Sequence, residues 1–557
     1  MEHQRAIGKI SGLFLVPAVA GVILYLAAHL IGVKAAAVAG AIVLLCWVCA
    51  LVAAALKGGV FSGFPRWAVA VFGLVTLWTL WLSSAPPYYR DDLIIHLAFP
   101  KHVLLEGAWN TLPFQPSSYS PNFLAPLNMA LVNAGLDWTA SFIPALYFLA
   151  TALLLAHWVA VEHGEGWGAW AAGALLSLPL FFRLSTTAYN DPVAMFFSCA
   201  GAYWFCRWLE TLAVEDGAKG ALALAAGSVV KYNAGLLLAA LLCVLFFLKR
   251  GNARAWVKMA AVNAAAVLAF CGPWWLAGGA PETGFSPFNG PIHERMVMCG
   301  ENAISALASP VRVFFQGEEG SRCGFDGTLN PLFLIFGFAV FAVARPTSHR
   351  LLGGATALFM AAAVLLASIM ARYFLPVIPL LVFLCAGFFA AADRRGYKAV
   401  AVICATAVIG WNVWGYAHAA RSFSGWAYLT GHETKNAFLA RHIPTYGATE
   451  YMNAHLKKTD TVYFVFTGNQ VYYTGIRYFY DSYWDGTTLM RHFAPGNSAF
   501  AAANGLKAAG ISHLLYRADL MRRYVEQNRL EVVFAEFISR HARVEYEDGA
   551  ATLLALK

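Results

Sequence analysis

Long apolar runs recur along this chain at the length a lipid bilayer demands. An α-helix rises about 1.5 Å per residue, so about twenty apolar residues cross a hydrocarbon core about 30 Å thick. Runs of that order occupy 10–31, 35–56, 67–85, 139–158, 166–183, 192–212, 257–277, 330–345, 351–370, 373–391 and 398–417. A soluble fold has no place for so many helices without a polar face, so a polytopic α-helical membrane protein is expected. Composition points the same way: 59% of the 557 residues are hydrophobic and 12% charged, about half the charged share of a soluble domain. The formal charge of +9 does not signal nucleic acid, because many basic residues fall in short loops between apolar runs. The first run, Ile10–Leu30, is long enough to span and lacks a cleavage site followed by a soluble domain, so no removable signal is expected.

One further run, Gly220–Leu248, is too long for a single crossing and is interrupted by Ser228, Lys231, Tyr232 and Asn233. Charge chooses its path. A single span would put KRGNARAWVK (249–258) on the side opposite Arg5 and Lys9. A hairpin of two half-spans returns it to the side holding Lys57, Arg66, Arg207, Lys219, Arg394 and Lys398, as the positive-inside rule requires. The expectation is therefore 13 spans in a bacterial inner membrane, with a cytoplasmic N-terminus and an outer C-terminus. A transmembrane domain over 1–417 carries external loops 86–137 and 278–328, and an extracytoplasmic α/β domain follows over 418–557.

Within that tail, TDTVYFVFT ending at Thr467 and ISHLLY (511–516) read as strands, rich in β-branched and aromatic residues. NSAFAAANGLKAAG reads as a helix stopped by glycine, and RVEYEDGAATLLAL as a hairpin turning at Asp548-Gly549. No phosphate-binding glycine fingerprint and no paired nucleophile and base occur there, so a structural cap over the membrane domain is the expected role. Of the 10 cysteines, Cys299 and Cys323 alone fall in the external aqueous segments, where an oxidising compartment favours a disulfide between them. Cys46 and Cys49 have CxxC spacing but lie in an apolar run, where cysteine serves as a small hydrophobe.

Ionisable residues at membrane level are costly and mark function. Four places on the outer side qualify. The first is RDDLIIHLAFPKHV, with Asp91, Asp92 and, four residues after Asp92, His96 on the same face if helical. The second is Tyr189-Asn190-Asp191-Pro192, where Asp191 also suits capping ahead of an N1 proline. The third is Lys231 at the hairpin apex, and the fourth is Arg372-Tyr373. Carboxylates here can take a proton from an acceptor, while lysine and arginine hold a phosphate and offset charge on it as it leaves. Such a set suits transfer of a group from a lipid phosphate. An ion-coupled transporter would instead place its polar groups near the midplane, within inverted repeats. Glu282, Glu294 and Arg295 in the later loop are weaker candidates for acceptor contact.

The quoted motifs, in their order and shared outer placement, resemble the GT-C superfamily of membrane glycosyltransferases. The similarity is to the branch with the protein O-mannosyltransferases and the lipid A aminoarabinose transferase. RDDLIIHLAFPKHVLLEG resembles the acidic start of that family's first external loop, and STTAYNDPVAMFF its second acidic turn. GSVVKYNAGLLL is similar to the hairpin that follows, and RYFLPVIPLL to a late-span motif. The resemblance implies inverting transfer of a sugar from a polyprenyl phosphate to a lipid, glycan or protein acceptor. It makes Asp91 the general base, Asp92 a supporting carboxylate, and Asp191 with Asn190, Tyr189 and His96 a positioning group. Lys231, Arg372 and Tyr373 become the donor-phosphate residues. SYSPNFLAP (118–126) lacks the lysine that the aminoarabinose transferase carries late in this loop, so donor or acceptor is expected to differ. No cofactor is required on this reading, although Asp91, Asp92, Asp191 and His96 are of the right type for a divalent metal. A monomer surrounded by membrane lipids is expected. Two alternatives stay open: a flippase for lipid-linked sugars, and an oligosaccharide ligase or polymerase using a lipid diphosphate.

Overall fold

Helices occupy the expected apolar runs, and the computed structural model describes residues 2–112, 114–248, 253–278, 291–343, 346–365, 369–481, 486–494 and 496–557. α1 (Glu2–Leu30) and α2 (Val33–Leu56) meet at Gly32, whose φ of +94° is one that a side chain disfavours. α3 (Arg66–Leu82) leads into the loop of residues 86–137. That loop holds a π-helical turn (Asp92–His96), α4 (Ala98–Glu106) and α5 (Leu124–Asn133). A Cβ on Gly21 of α1 would collide with the Phe123 carbonyl oxygen, so this glycine is what lets α1 press against the start of α5.

α6 (Phe142–His163), α7 (Glu165–Leu176) and the short α8 (Pro179–Leu184) follow, then α9 (Asp191–Thr211). The long run 220–248 splits into α10 (Val214–Val230) and α11 (Tyr232–Leu248), with Lys231 the only residue between them. α12 (Ala253–Gly278) shows which way the pair runs. A Cβ on Gly217, at the start of α10, would meet Met259 at 2.8 Å, and Trp256 Nε1 donates to the Leu242 carbonyl at 3.5 Å. The far ends of α10 and α11 therefore lie together beside the start of α12, which is a hairpin.

The later loop contributes α13 (Pro291–Cys299), α14 (Ala303–Leu307) and α15 (Ser309–Arg312), and Cys299 is disulfide-bonded to Cys323. α16 (Pro331–Val343), α17 (Thr347–Ala362), a 3₁₀ turn over Ala371–Val377, α18 (Ile378–Arg394) and α19 (Lys398–Ser422) complete the helical domain. Among the described residues, 6 helical stretches are long and apolar enough to cross a membrane: 2–30, 33–56, 137–163, 253–277, 371–394 and 398–422. The helices Arg66–Leu82, Tyr232–Leu248 and Pro331–Val343 are equally apolar but shorter. α6 and α18 are enclosed by the other helices, whereas α2, α12 and α19 turn much of their apolar surface outward.

The tail forms one mixed sheet in the order β2-β1-β3-β5-β4. β1 (Thr461–Val465) is parallel to β2 (Arg477–Tyr480) and to β3 (His513–Arg517) on its other side. β4 (Ala542–Glu547) and β5 (Ala551–Leu556) are antiparallel around Gly549, and β5 joins them to β3. The helix expected before β3 spans Ala499–Ala508, with Ser498 capping it by accepting from the Ala501 N–H. β2 is only RYFY, too short for a period-2 pattern to stand out; pairing with β1 makes it a strand.

Candidate active site

Four separate pieces of chain meet at one end of the helices. They are the start of the π-helical turn, the 186–191 turn before α9, the α10–α11 junction and the 3₁₀ turn of 371–377. Lys231 adopts an extended backbone between two helices: its N–H donates to Gly227 O at 3.0 Å and its carbonyl accepts from Ala234 N at 3.0 Å. It thus ends α10 and opens α11 at once. Its Nζ lies 2.6 Å from Asp191 Oδ1 and 4.5 Å from the centroid of the Tyr373 ring. Beside it, Arg372 Nη2 stands 2.8 Å from Asp91 Oδ2. The Arg372 guanidinium lies 4.7 Å from the Tyr189 ring centroid and 5.4 Å from that of Tyr373. Two cation–carboxylate pairs therefore share one aromatic ring between them.

Two asparagines hold the junction. Asn190 Nδ2 donates to Val230 O at 3.4 Å, and Asn233 Nδ2 donates to Tyr373 O at 2.9 Å. The Oδ1 atoms of both, and Nε of Arg372, are buried without a hydrogen-bond partner among the described residues. Buried polar atoms are normally paired. Arg372 thus has a donor to spare while it holds Asp91, and two acceptors stand open beside Lys231.

The adjacent aspartates have different surroundings. Asp91 keeps a quarter of its side chain exposed, whereas Asp92 is buried and accepts the Ala188 N–H at 3.1 Å. Burial pushes the Asp91 carboxyl up, but the charges of Arg372 and Lys231 and the Arg372 hydrogen bond outweigh it, holding Asp91 below the ordinary range. Burial drives Asp92 well above that range, the Asp91 charge adds to the rise, and the Ala188 N–H opposes it. His96 is pushed down to about 4 by burial, so its imidazole is neutral at pH 7. The pair thus has one reachable carboxylate held low by its cations and one enclosed carboxyl, pushed high, that braces the 186–191 turn.

Several sequence expectations need correction here. Asp92 and His96 lie in a π-helical turn and not an α-helical one, with Leu97 N donating to Asp92 O at 3.0 Å. Both reach the 186–191 turn: Asp92 accepts from Ala188 N, and His96 packs on Tyr189, ring centroids 5.4 Å apart. Asp191 makes no side-chain cap; its carboxylate is taken by Lys231, and the capping position belongs to Asn190. Arg295 and Glu294 serve their own loop. Arg295 is bonded to Glu301 at 2.5 Å and to the Cys323 carbonyl at 2.8 Å, while Glu294 pairs with Arg322 at 2.6 Å. Glu282 lies outside the described residues.

Other residues went unread in the sequence. Arg183 makes a bidentate pair with Asp326, at 2.8 and 2.6 Å, and the neighbouring Phe325 carbonyl accepts the Ala371 N–H at 2.8 Å. This couples the disulfide-bonded loop to the turn that presents Arg372. Asn233 reads in the sequence only as an interruption in an apolar run. As for a metal, Asp91 and Asp191 are each engaged by a cation, and the described residues contain no group of three or more His, Cys, Asp or Glu arranged to hold one.

No protein-family model matches the sequence, and no curated protein is detectably similar to it in sequence. Similarity lies in the fold. ArnT from Cupriavidus metallidurans in the apo state superposes with a TM-score of 0.54 at 15% identity, covering 87% of this chain and 97% of ArnT. ArnT bound to undecaprenyl phosphate gives 0.54 at 14% identity, over 88% of this chain and 97% of its own. The chain has the fold of ArnT. An oligosaccharyltransferase from Archaeoglobus fulgidus is also similar, at a TM-score of 0.49 and 12% identity over 81% of this chain and 68% of its own.

Proposed function

We propose that this chain is an inverting glycosyltransferase that moves a sugar from a polyprenyl-phosphate donor to an acceptor on the outer face of a bacterial inner membrane. The observation that carries the reading is the pair of ion pairs, Asp91–Arg372 and Asp191–Lys231, joined through the Tyr373 ring, with the Arg372 Nε–H left over. The ArnT-like fold supports it, since ArnT itself has been seen with undecaprenyl phosphate bound. The topology proposed with it has thirteen crossings, a cytoplasmic N-terminus and an outer tail domain.

In this reading Asp91, ionised at rest, removes the proton from the acceptor hydroxyl or amine. The acceptor heteroatom attacks the anomeric carbon, and the bond from that carbon to the phosphate oxygen breaks. The polyprenyl phosphate leaves with the electron pair, and the positive charges of Arg372 and Lys231 offset the charge it gains. Asp191 keeps Lys231 in place and charged, since a lone buried ammonium would tend to lose its proton. No metal step is required of these residues.

The test compares lipids that co-purify with the wild-type protein and with Asp91→Asn, by mass spectrometry. Asn keeps the size and the polar contact to Arg372 but cannot accept the proton. A sugar-loaded polyprenyl phosphate enriched in the folded variant is expected, with transfer reduced by about 10²–10⁴-fold. Bulk phospholipid alone in both samples would refute the reading. A diphosphate-linked oligosaccharide would replace it with a ligase.

A further inference from the structure

The π-helical turn that follows Asp91 is an awkward piece of backbone. Its i→i+5 bonding leaves carbonyls with no donor in the turn itself, and buried carbonyls need one. Three remote groups supply them. Ile94 O accepts from Gln115 Nε2 at 2.9 Å and His96 O from Asn128 Nδ2 at 3.0 Å, both within the first external loop. Leu93 O accepts from the backbone N–H of Tyr472 at 3.1 Å, and Tyr472 belongs to the tail domain.

That contact is one of a set. Tyr473 Oη donates to Pro87 O at 2.7 Å, so the tail domain grips the backbone on both sides of Asp91. Lys101 Nζ donates to the Tyr472 carbonyl at 2.7 Å, and Tyr472 Oη donates to Asp137 Oδ2 at 2.7 Å. Leu93, Leu97, Val471, Tyr472 and Ile476 are buried in one apolar cluster. The segment that bears the tyrosines is itself held. Phe466, Gly468 and Asn469 have φ of +56°, +71° and +59°, and Phe466 is a bulky residue that adopts such a φ only when its surroundings impose it. Asn453, on the helix Tyr446–His455, accepts from Gly475 N at 2.7 Å and donates to Tyr473 O at 3.0 Å, fixing the segment from behind.

We propose that residues 471–473 of the tail domain form a strap that positions the Asp91 turn for transfer, so that the tail domain is a working part of the active site and not only a cap. The proposal rests on Asp91 acting as the base. Tyr472 and Tyr473 are positioning residues on this account. They hold the backbone at Leu93 and Pro87, on either side of Asp91.

The experiment uses the full chain with Tyr473→Phe, and with Tyr472→Phe and Tyr473→Phe together, and follows amide hydrogen exchange by mass spectrometry. Losing one hydrogen bond of ordinary net strength corresponds to about tenfold faster local exchange. Exchange about tenfold faster over 88–97 is expected, with strands β1 and β3 unchanged. Binding of added undecaprenyl phosphate should stay within about twofold of wild type, because the Lys231 and Arg372 supports are untouched, while transfer falls by about tenfold or more. Unchanged exchange over 88–97 would overturn the strap. An equal rise across the tail domain would also overturn it, since the tyrosines would then serve only that domain's own fold. Exchange does not depend on turnover, so this result and that of Asp91→Asn fail independently.

Discussion

Replacing Lys231 with Met is the sharpest test of how the two ion pairs are built. Lys231 Nζ lies 2.6 Å from Asp191 Oδ1, and the Asp191 side chain is 1% exposed. Removing the ammonium leaves a carboxylate with almost no access to water. Breaking such a pair from one side costs about 3–5 kcal/mol. At roughly 2 °C per kcal/mol for a large domain, the apparent unfolding midpoint in detergent should fall by roughly 6–10 °C. The double variant Lys231→Met with Asp191→Asn removes the stranded charge and should return to within about 1 kcal/mol of wild type. Undecaprenyl-phosphate binding separates structure from function: it should be lost in the single variant and stay lost in the stable double one. A single variant as stable as wild type would refute the buried pair. A double variant that binds the lipid as wild type does would refute the role of Lys231 at the phosphate.

His96 gives a pH signature. Its folded value is about 4 against an ordinary 6.5, so between these values the unfolded chain carries a proton that the native state lacks. Stability from this group is therefore lost as pH falls from 6.5 towards 4, by about 3 kcal/mol, and His96→Gln should flatten that part of the denaturation profile. An identical slope in the variant would refute the assignment. The Cys299–Cys323 bridge closes a segment of separation 24, for which chain entropy gives about 3 kcal/mol. Replacing both cysteines with serine should loosen 313–326, seen as faster hydrogen exchange there, and abolish the mobility change that reductant produces on a gel.

Membrane architecture was legible in the sequence because it follows from length and apolarity, which belong to each run alone. The hairpin around Lys231 was legible for a related reason: charge on the flanking loops fixes which side each end faces. Asp91, Asp191, Lys231 and Arg372 could be picked out as costly polar residues at span ends. Their partners could not. Which carboxylate meets which cation depends on how the α10–α11 junction, the 186–191 turn and the 371–377 turn pack, and residues 91 and 372 are far apart in the chain. The π-helical form of the turn after Asp91 was not legible, because it differs from an α-helix by a single hydrogen-bond shift, and its carbonyls are bonded by Gln115, Asn128 and Tyr472 from elsewhere. The strap was invisible for the same reason, since Tyr472 and Tyr473 look like ordinary aromatic residues in a loop. The sequence by itself determined the solvent each segment needs, apolar or aqueous. Only the tertiary structure decided the pairings, because hydrogen bonds and ion pairs between distant segments depend on distances that no local pattern encodes.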